Sequence, residues 1–302
     1  MKENKIKTYA LALFAMLLWG SAFPALKISY QNFNILANDY ASKMLLAGVR
    51  FFLAGFLVFI YILIFDRKLI KQFKPNFKFL LILGILNTTI NYLFFYIGVG
   101  NTSGVKSAIL QSSSTFLTVL FAHFMLSEKI NKRTGFALLL GLLGIIASNI
   151  GKGFDLSFTL QGEGFIFITG ITSALATILV KRSGKEISSL VMTSGQMMLG
   201  SILLLIVGFV GKSPDITINT KGILVLLYSS IISSLAYAIW YYLLSRNPAS
   251  EITFLRLFIP IFGTVLSAIV LGESLTYYIL FGLFLVVLGV YFINKKPATT
   301  NR

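Results

Sequence analysis

Residues 110–128 read LQSSSTFLTVLFAHFMLSE, and residues 255–273 read LRLFIPIFGTVLSAIVLGE. Both are apolar runs, and both end in a glutamate. Laying Glu128 over Glu273 sets an offset of 145 residues, which also pairs Tyr92 with Tyr237, Tyr96 with Tyr241, Leu110 with Leu255, Leu126 with Leu271 and Gly144 with Gly289. Outward from this pair, residues 8–293 divide into ten apolar stretches: 8–29, 40–65, 77–98, 104–126, 134–150, 160–182, 188–209, 220–245, 249–271 and 275–293. The hydrocarbon core of a bilayer takes roughly 20 apolar residues per helix. Five crossings per copy is an odd number, so the second copy enters the bilayer from the opposite face. The expected fold is an all-α polytopic membrane protein. Its ten transmembrane helices form two inverted five-helix repeats, residues 1–150 and 151–302, in one membrane domain.

The 302 residues are 56% hydrophobic and 12% charged, far from a soluble globular composition. Short loops leave no room for a soluble catalytic, nucleotide-binding or nucleic-acid-binding domain. The net charge of +16 follows membrane topology, because the basic residues flank the spans. One face collects 18 of the 26 basic residues, including Arg67, Lys68, Lys71, Lys74, Lys78, Lys181, Arg182, Lys185 and Arg246. The other face carries six, and two, Arg50 and Arg256, fall within spans. This bias predicts that both termini are cytoplasmic. The first span lacks a small-residue cleavage site and reads as a retained signal anchor. The absence of cysteine excludes disulfides and thiolate chemistry.

Several segments resemble the EamA-type branch of the drug/metabolite transporter superfamily. The first span reads LWGSAF over residues 18–23, followed by Lys27, and the second reads RFFLAG over 50–55. Span nine has Pro260 and ends Leu271-Gly272-Glu273; span four ends Leu126-Ser127-Glu128. Thr115 departs from the pattern, because the resembling family usually has proline in both copies and here only Pro260 supplies it. The resemblance implies a ten-helix carrier of small metabolites, often amino acids, working by alternating access. It also implies that spans five and ten form a peripheral or dimer-facing part, so a homodimer is an expectation. Gly141, Gly144, Gly282 and Gly289 mark close packing there.

Polar side chains inside spans face the bundle interior or a wet cavity, because hydrocarbon offers them no partner. In span three Asn87 and Asn91 stand four apart, which on an α-helix gives one face. They form either a hydrogen-bonding wall for substrate or glue between spans. Arg256, seven residues into span nine, is the sharpest candidate: a clamp for a carboxylate, or else an arginine reaching back to the headgroups. Arg50 is expected to pair with carbonyls or with Gln196. Trp19 and Tyr237 are expected to shape an apolar wall with polar tips. Trp240 and Tyr241 fit an interfacial aromatic belt. His123, the single histidine, reads as a helix-end residue ahead of a proton relay. Glu128 and Glu273 are expected to make helix-end hydrogen bonds or gate ion pairs. Pro24 and Pro260 are expected to break their helices locally.

All ten carboxylates lie in loops or near span ends. A proton-coupled exporter of cations needs a buried acid, so the interior favours neutral, zwitterionic or anionic cargo. One histidine and no mid-span acid build neither a metal site nor a catalytic triad, so neither an enzyme, a metal nor a cofactor is expected. The sequence therefore predicts a secondary transporter of the bacterial cytoplasmic membrane for small polar metabolites, with amino acids the favoured class. Helices one, three, four, six, eight and nine would line its cavity, and Trp19, Asn87, Asn91, Gln111, Thr172, Ser173, Tyr237 and Arg256 would meet the small-molecule substrate. The alternative is an exporter of amphipathic drugs or lipophilic metabolites.

Overall fold

The computed structural model describes residues 5–36, 38–101, 111, 113–149, 158–212, 216–272 and 277–294. Leu110, Ser112 and Glu273 lie outside the described residues. Every regular element among the described residues is helical. Helix α1 is Lys5–Asn32, α2 is Tyr40–Phe65, and a 3₁₀ turn, Arg67–Gln72, leads to α3. That helix is built of Phe77–Gly84, a π-helical Ile85–Ile90 and Asn91–Gly100. Helix α4 is Ser113–Leu126 and α5 is Lys132–Asn149. Helix α6 opens with a π-helical turn, Leu160–Gly164, and continues as Phe165–Ser183. Helices α7, Ser189–Gly211, and α8, Thr220–Arg246, follow. Helix α9 comprises Ala249–Ile252, a 3₁₀ segment Thr253–Leu257 and Phe258–Leu271, and α10 is Tyr277–Asn294.

Among the described residues, seven stretches are long and apolar enough to cross a membrane: Lys5–Asn32, Tyr40–Phe65, Phe77–Gly98, Leu160–Ser183, Ser189–Gly211, Thr220–Arg246 and Ala249–Leu271. Ser113–Leu126 and Leu280–Gly289 are shorter apolar helices. Helix starts follow from capping chemistry. The Asp39 carboxylate accepts the Ser42 N–H (2.9 Å), and the Asn219 side chain accepts the Gly222 N–H (2.8 Å). At α6 Thr159 accepts from Gly162, and Glu163 reaches back to the Thr159 N–H at 2.7 Å, a reciprocal cap.

Helices α2 and α7 pack along one another, as do α5 and α10. Helix α1 lies against α8 and α9, and α6 lies against α3 and α4; α3 touches α7, and α8 touches α2. Exchanging each helix of the first five for its counterpart in the second five returns the same set of pairs. Glycine sets the closest approaches. A Cβ on Gly200 would stand 2.3 Å from the Gly84 carbonyl oxygen, and one on Gly144 would stand 2.7 Å from that of Gly282. The α5–α10 packing is thus the glycine-mediated contact that the sequence marked.

Of the two prolines, Pro260 interrupts its helix as expected and Pro24 does not. Helix α1 runs unbroken through buried Pro24, because neighbouring helices can support a span that lacks one hydrogen bond. Here Gly20, one turn earlier, is seated on Phe262 and Gly263. In α9 the irregularity lies ahead of Pro260. Proline has no N–H for the Arg256 carbonyl, so the preceding turn tightens into 3₁₀ geometry, with the Phe258 N–H directed at the Arg256 and Leu255 carbonyls.

At one end of the bundle Ser127 takes a positive φ of 57° and turns Glu128 toward α9. The Glu128 carboxylate accepts the N–H groups of Ala249 and Ser250, both at 2.9 Å, and the Ser250 hydroxyl. An anion there satisfies orphan donors and meets the positive end of the helix dipole. Lys181 completes the corner by donating to the carbonyls of Leu244 (3.0 Å) and Asn247 (2.6 Å) at the end of α8.

Two outcomes are expected. Gly200→Val forces α3 from α7 and costs about 1–3 kcal/mol of stability, read as a lower midpoint of thermal unfolding in detergent, whereas Gly135→Ala, where a Cβ meets nothing within 4 Å, leaves the midpoint in place or raises it. Glu128→Ala uncaps α9 and costs about 1 kcal/mol in the same assay, with Glu128→Gln, which keeps one acceptor, losing less.

Candidate substrate site

A small cavity opens where α1, α3, α6, α8 and α9 converge. Trp19, Asn87, Ser173, Ala176, Thr177, Tyr237, Trp240, Tyr241 and Arg256 line it. Its volume is about 20 Å³, room for about one water molecule. Two irregular backbone segments face each other here. The π-helical turn of α3 carries Asn87, and the 3₁₀ segment of α9 carries Arg256.

Asn87 lies in the π turn of α3 and Asn91 directly after it, and the two side chains bond different neighbouring helices. The Asn87 side-chain amide donates toward Gln196 (3.2 Å) and Tyr241 (3.1 Å). The Asn91 amide donates instead to the Thr169 carbonyl (3.0 Å), the Thr172 hydroxyl (3.0 Å) and the Ser173 hydroxyl (2.9 Å). Asn91 therefore fastens α3 to α6, while Asn87 borders the cavity. Gln111 accepts from the Thr169 hydroxyl at 2.9 Å and does not reach the cavity wall, so among the described residues α4 supplies no lining.

Arg256 is half-buried, its Nε is buried without a hydrogen-bond partner, and its guanidinium carbon stands 5.8 Å from the Trp240 ring centroid. The guanidinium faces the aromatic interior. Trp19 meets Tyr237 edge to face at 5.0 Å and Trp240 at 5.9 Å, and Tyr237 meets Tyr241 at 5.7 Å. Such T-shaped contacts suit ring quadrupoles and make one wall.

Five of the eight expected residues, Trp19, Asn87, Ser173, Tyr237 and Arg256, thus come together. Asn91, Thr172 and Gln111 form the hydrogen-bonded layer beside them. Sequence reasoning missed Trp240 and Tyr241, which are 3% and 2% exposed and belong to the cavity rather than to an interfacial belt. Two signals were available: Tyr237, Trp240 and Tyr241 stand at i, i+3 and i+4 on one helix face, and Tyr241 is the repeat partner of buried Tyr96. Ala176 and Thr177 carried no such signal.

Arg50 pairs structurally, as expected, but with α8 rather than Gln196. Its Nε donates to the Ser229 carbonyl (3.3 Å) and its Nη2 to the Ser233 hydroxyl (2.9 Å). His123 is exposed, with Nδ1 2.8 Å from the Glu128 carbonyl oxygen, which fits a helix-end role.

The comparisons with known proteins agree with this architecture. The family model described as the EamA-like transporter family matches twice, over residues 6–150 and 160–295. The uncharacterized transporter YvbV of Bacillus subtilis is 28% identical over 97% of this chain and 93% of its own length. A protein of Salmonella typhimurium named as a probable amino-acid metabolite efflux pump is 27% identical over 93% of this chain and 92% of its own. One crystal structure has a TM-score of 0.80 at 15% identity, covering 95% of this chain and 96% of that one, which is a likeness of fold. Two family matches spanning nearly the whole chain, on a bundle with seven helices able to cross a membrane, make this multi-pass membrane protein a member of the EamA-like transporter family.

Proposed function

We propose that this transporter is an alternating-access carrier of the bacterial cytoplasmic membrane, with ten spans in two inverted repeats and both termini cytoplasmic. Its cargo is small polar metabolites, amino acids being the favoured class. The observation that carries the reading is a small interior cavity whose lining joins one arginine with an unpaired Nε, an amide and an aromatic wall. A carboxylate would take the guanidinium, Asn87 would bond its polar neighbour, and Trp19, Tyr237 and Trp240 would cover the apolar remainder. The repeated family match and the closed set of helix pairs support the inverted repeat. The name of the Salmonella relative supports the amino-acid class. The aromatic wall alone favours the second reading, an exporter of amphipathic compounds.

Counterflow in proteoliposomes separates the two. Vesicles preloaded with an unlabelled metabolite panel accumulate labelled amino acids through the wild type, and Arg256→Ala lowers the rate by about tenfold or more, the worth of a charge-assisted hydrogen bond. Arg256→Lys restores part of it, since an ammonium keeps the charge but not the fork, and His123→Ala leaves it unchanged. Inhibition by hydrophobic cations, with no amino-acid counterflow from folded protein, selects the second reading.

A further inference from the structure

The cavity is one end of a line of tyrosines through the bundle. From Tyr241 the line passes to Tyr237, which packs with Tyr92 on the cluster of Met44, Phe51 and Tyr96. Tyr92 meets Tyr96 at 6.3 Å, and Tyr96 meets Tyr30 at 6.5 Å. Cations accompany it. The Arg256 guanidinium carbon stands 5.8 Å from the Trp240 centroid, that of Arg50 stands 5.3 Å from the Phe51 centroid, whose ring meets Tyr92 at 4.2 Å, and Lys43 stands 5.4 Å over the Tyr30 ring. The nearest acid at the outer end is Asp39, which caps α2 beside Lys43. Among the described residues no acid lines the cavity.

Two unfilled hydrogen-bonding positions can only donate. Besides Asp39 Oδ2, the buried side-chain atoms without a partner among the described residues are Arg256 Nε, Gln196 Nε2 and the hydroxyls of Ser113, Ser229 and Thr253. Gln196 is fully buried, and its Oε1 already accepts from Asn87 and Thr88. The hydroxyls can donate or accept, whereas Arg256 Nε and Gln196 Nε2 have only hydrogens to offer. A guanidinium with an unpaired N–H at a cavity whose lining holds no acid calls for an acceptor carrying negative charge.

A substrate ammonium fares poorly in the same place. The Ser173 hydroxyl already accepts from Asn91, and the Thr177 hydroxyl donates to the Ser173 carbonyl. The Trp240 face is already taken by the Arg256 guanidinium. What remains are neutral acceptors, the Asn87 and Thr177 oxygens, and the edges of the aromatic wall, with the like charge of Arg256 alongside.

We propose that the transported species is a net anion: an amino-acid-derived carboxylate without a free ammonium, of the 2-oxo acid or N-acyl class, with an aromatic or other apolar body. This rests on the carrier reading above and narrows its cargo. Arg256 holds the carboxylate in the cavity, and the tyrosine hydroxyls with Arg50 keep the path electropositive along its length.

Three probes with one body but different charge test it in the counterflow assay: phenylpyruvate (anion), phenylalanine (zwitterion) and phenylalanine amide (cation). The expected order is phenylpyruvate fastest, phenylalanine slower by about tenfold or more, and the amide at the level of empty liposomes. Arg50→Gln, checked for folding by its thermal midpoint, narrows the gap between phenylpyruvate and phenylalanine, and Arg50→Lys preserves it. Phenylalanine moving as fast as phenylpyruvate overturns the anion assignment and leaves the carrier reading standing. None of the three moving, with folded wild-type protein, overturns both.

Discussion

Hydrocarbon gives a polar side chain no solvent to fall back on, so each must find its partner inside the bundle. That constraint orders the whole interior. Arg50 shows it met: its guanidinium is bonded to a carbonyl and a hydroxyl of α8 and ties that helix to α2. Asn91 shows it met again, with one amide nitrogen directed at three acceptors of α6. Arg256 shows it unmet, with a buried Nε that has no partner and an aromatic ring for company. A satisfied polar group serves as a brace, and removing it loosens packing. An unsatisfied one costs free energy, a cost that a ligand bearing acceptors removes. The two arginines thus differ by the completeness of their hydrogen bonding rather than by residue type.

Backbone irregularity delivers these groups. The π turn of α3 carries Asn87 and the 3₁₀ segment of α9 carries Arg256, and both side chains line the cavity. Neither segment stands unsupported. The α9 segment is backed by Phe254, Leu257 and Ile261 in a cluster with Val119, Ala137 and Val286 from α4, α5 and α10. Leu257 covers Gly141, where a Cβ would lie 2.5 Å from its Cδ1. Helices α5 and α10, remote from the cavity, thus hold the reverse side of the segment that presents the arginine. A 3₁₀ stretch has poorer hydrogen-bond geometry than the α-helix on either side, which makes it the natural place for α9 to change shape when the cavity opens.

Most of this fold was legible in the sequence, because hydropathy and span length are imposed by the same bilayer that shapes the helices. The ends of α2 and α9 fall where the apolar runs stop. Polar residues in apolar runs were equally legible as interior groups, and Asn87, Ser173 and Arg256 emerged from that signal alone. Partners were not legible: Asn91 bonds α6 whereas Asn87 bonds α7 and α8, which depends on the helices that stand alongside. Trp240 and Tyr241 were misread because an aromatic ring near a span end satisfies an interfacial belt and an interior wall equally well; only the neighbouring helices decide. Pro24 carried a break signal that packing of Gly20 against α9 overrides.

The repeat offset gives the site a direction. Under the inverted-repeat reading Gln111, 145 residues before Arg256, holds the equivalent position. Gln111 is neutral and bonded to Thr169 of α6, whereas Arg256 is charged and turned to the cavity. In a carrier with two identical halves, the inward-open and outward-open states would present the same groups to cargo. An exchange of halves would here swap an arginine for a glutamine, so an anion would be held more tightly on the Arg256 side than on the Gln111 side. Under the carrier reading the two open states then differ in affinity, although the equilibrium distribution of cargo still follows its gradient. The asymmetry acts on rate, because tight binding on one side slows release there. A single substitution within an otherwise matched pair of helices is enough to produce it.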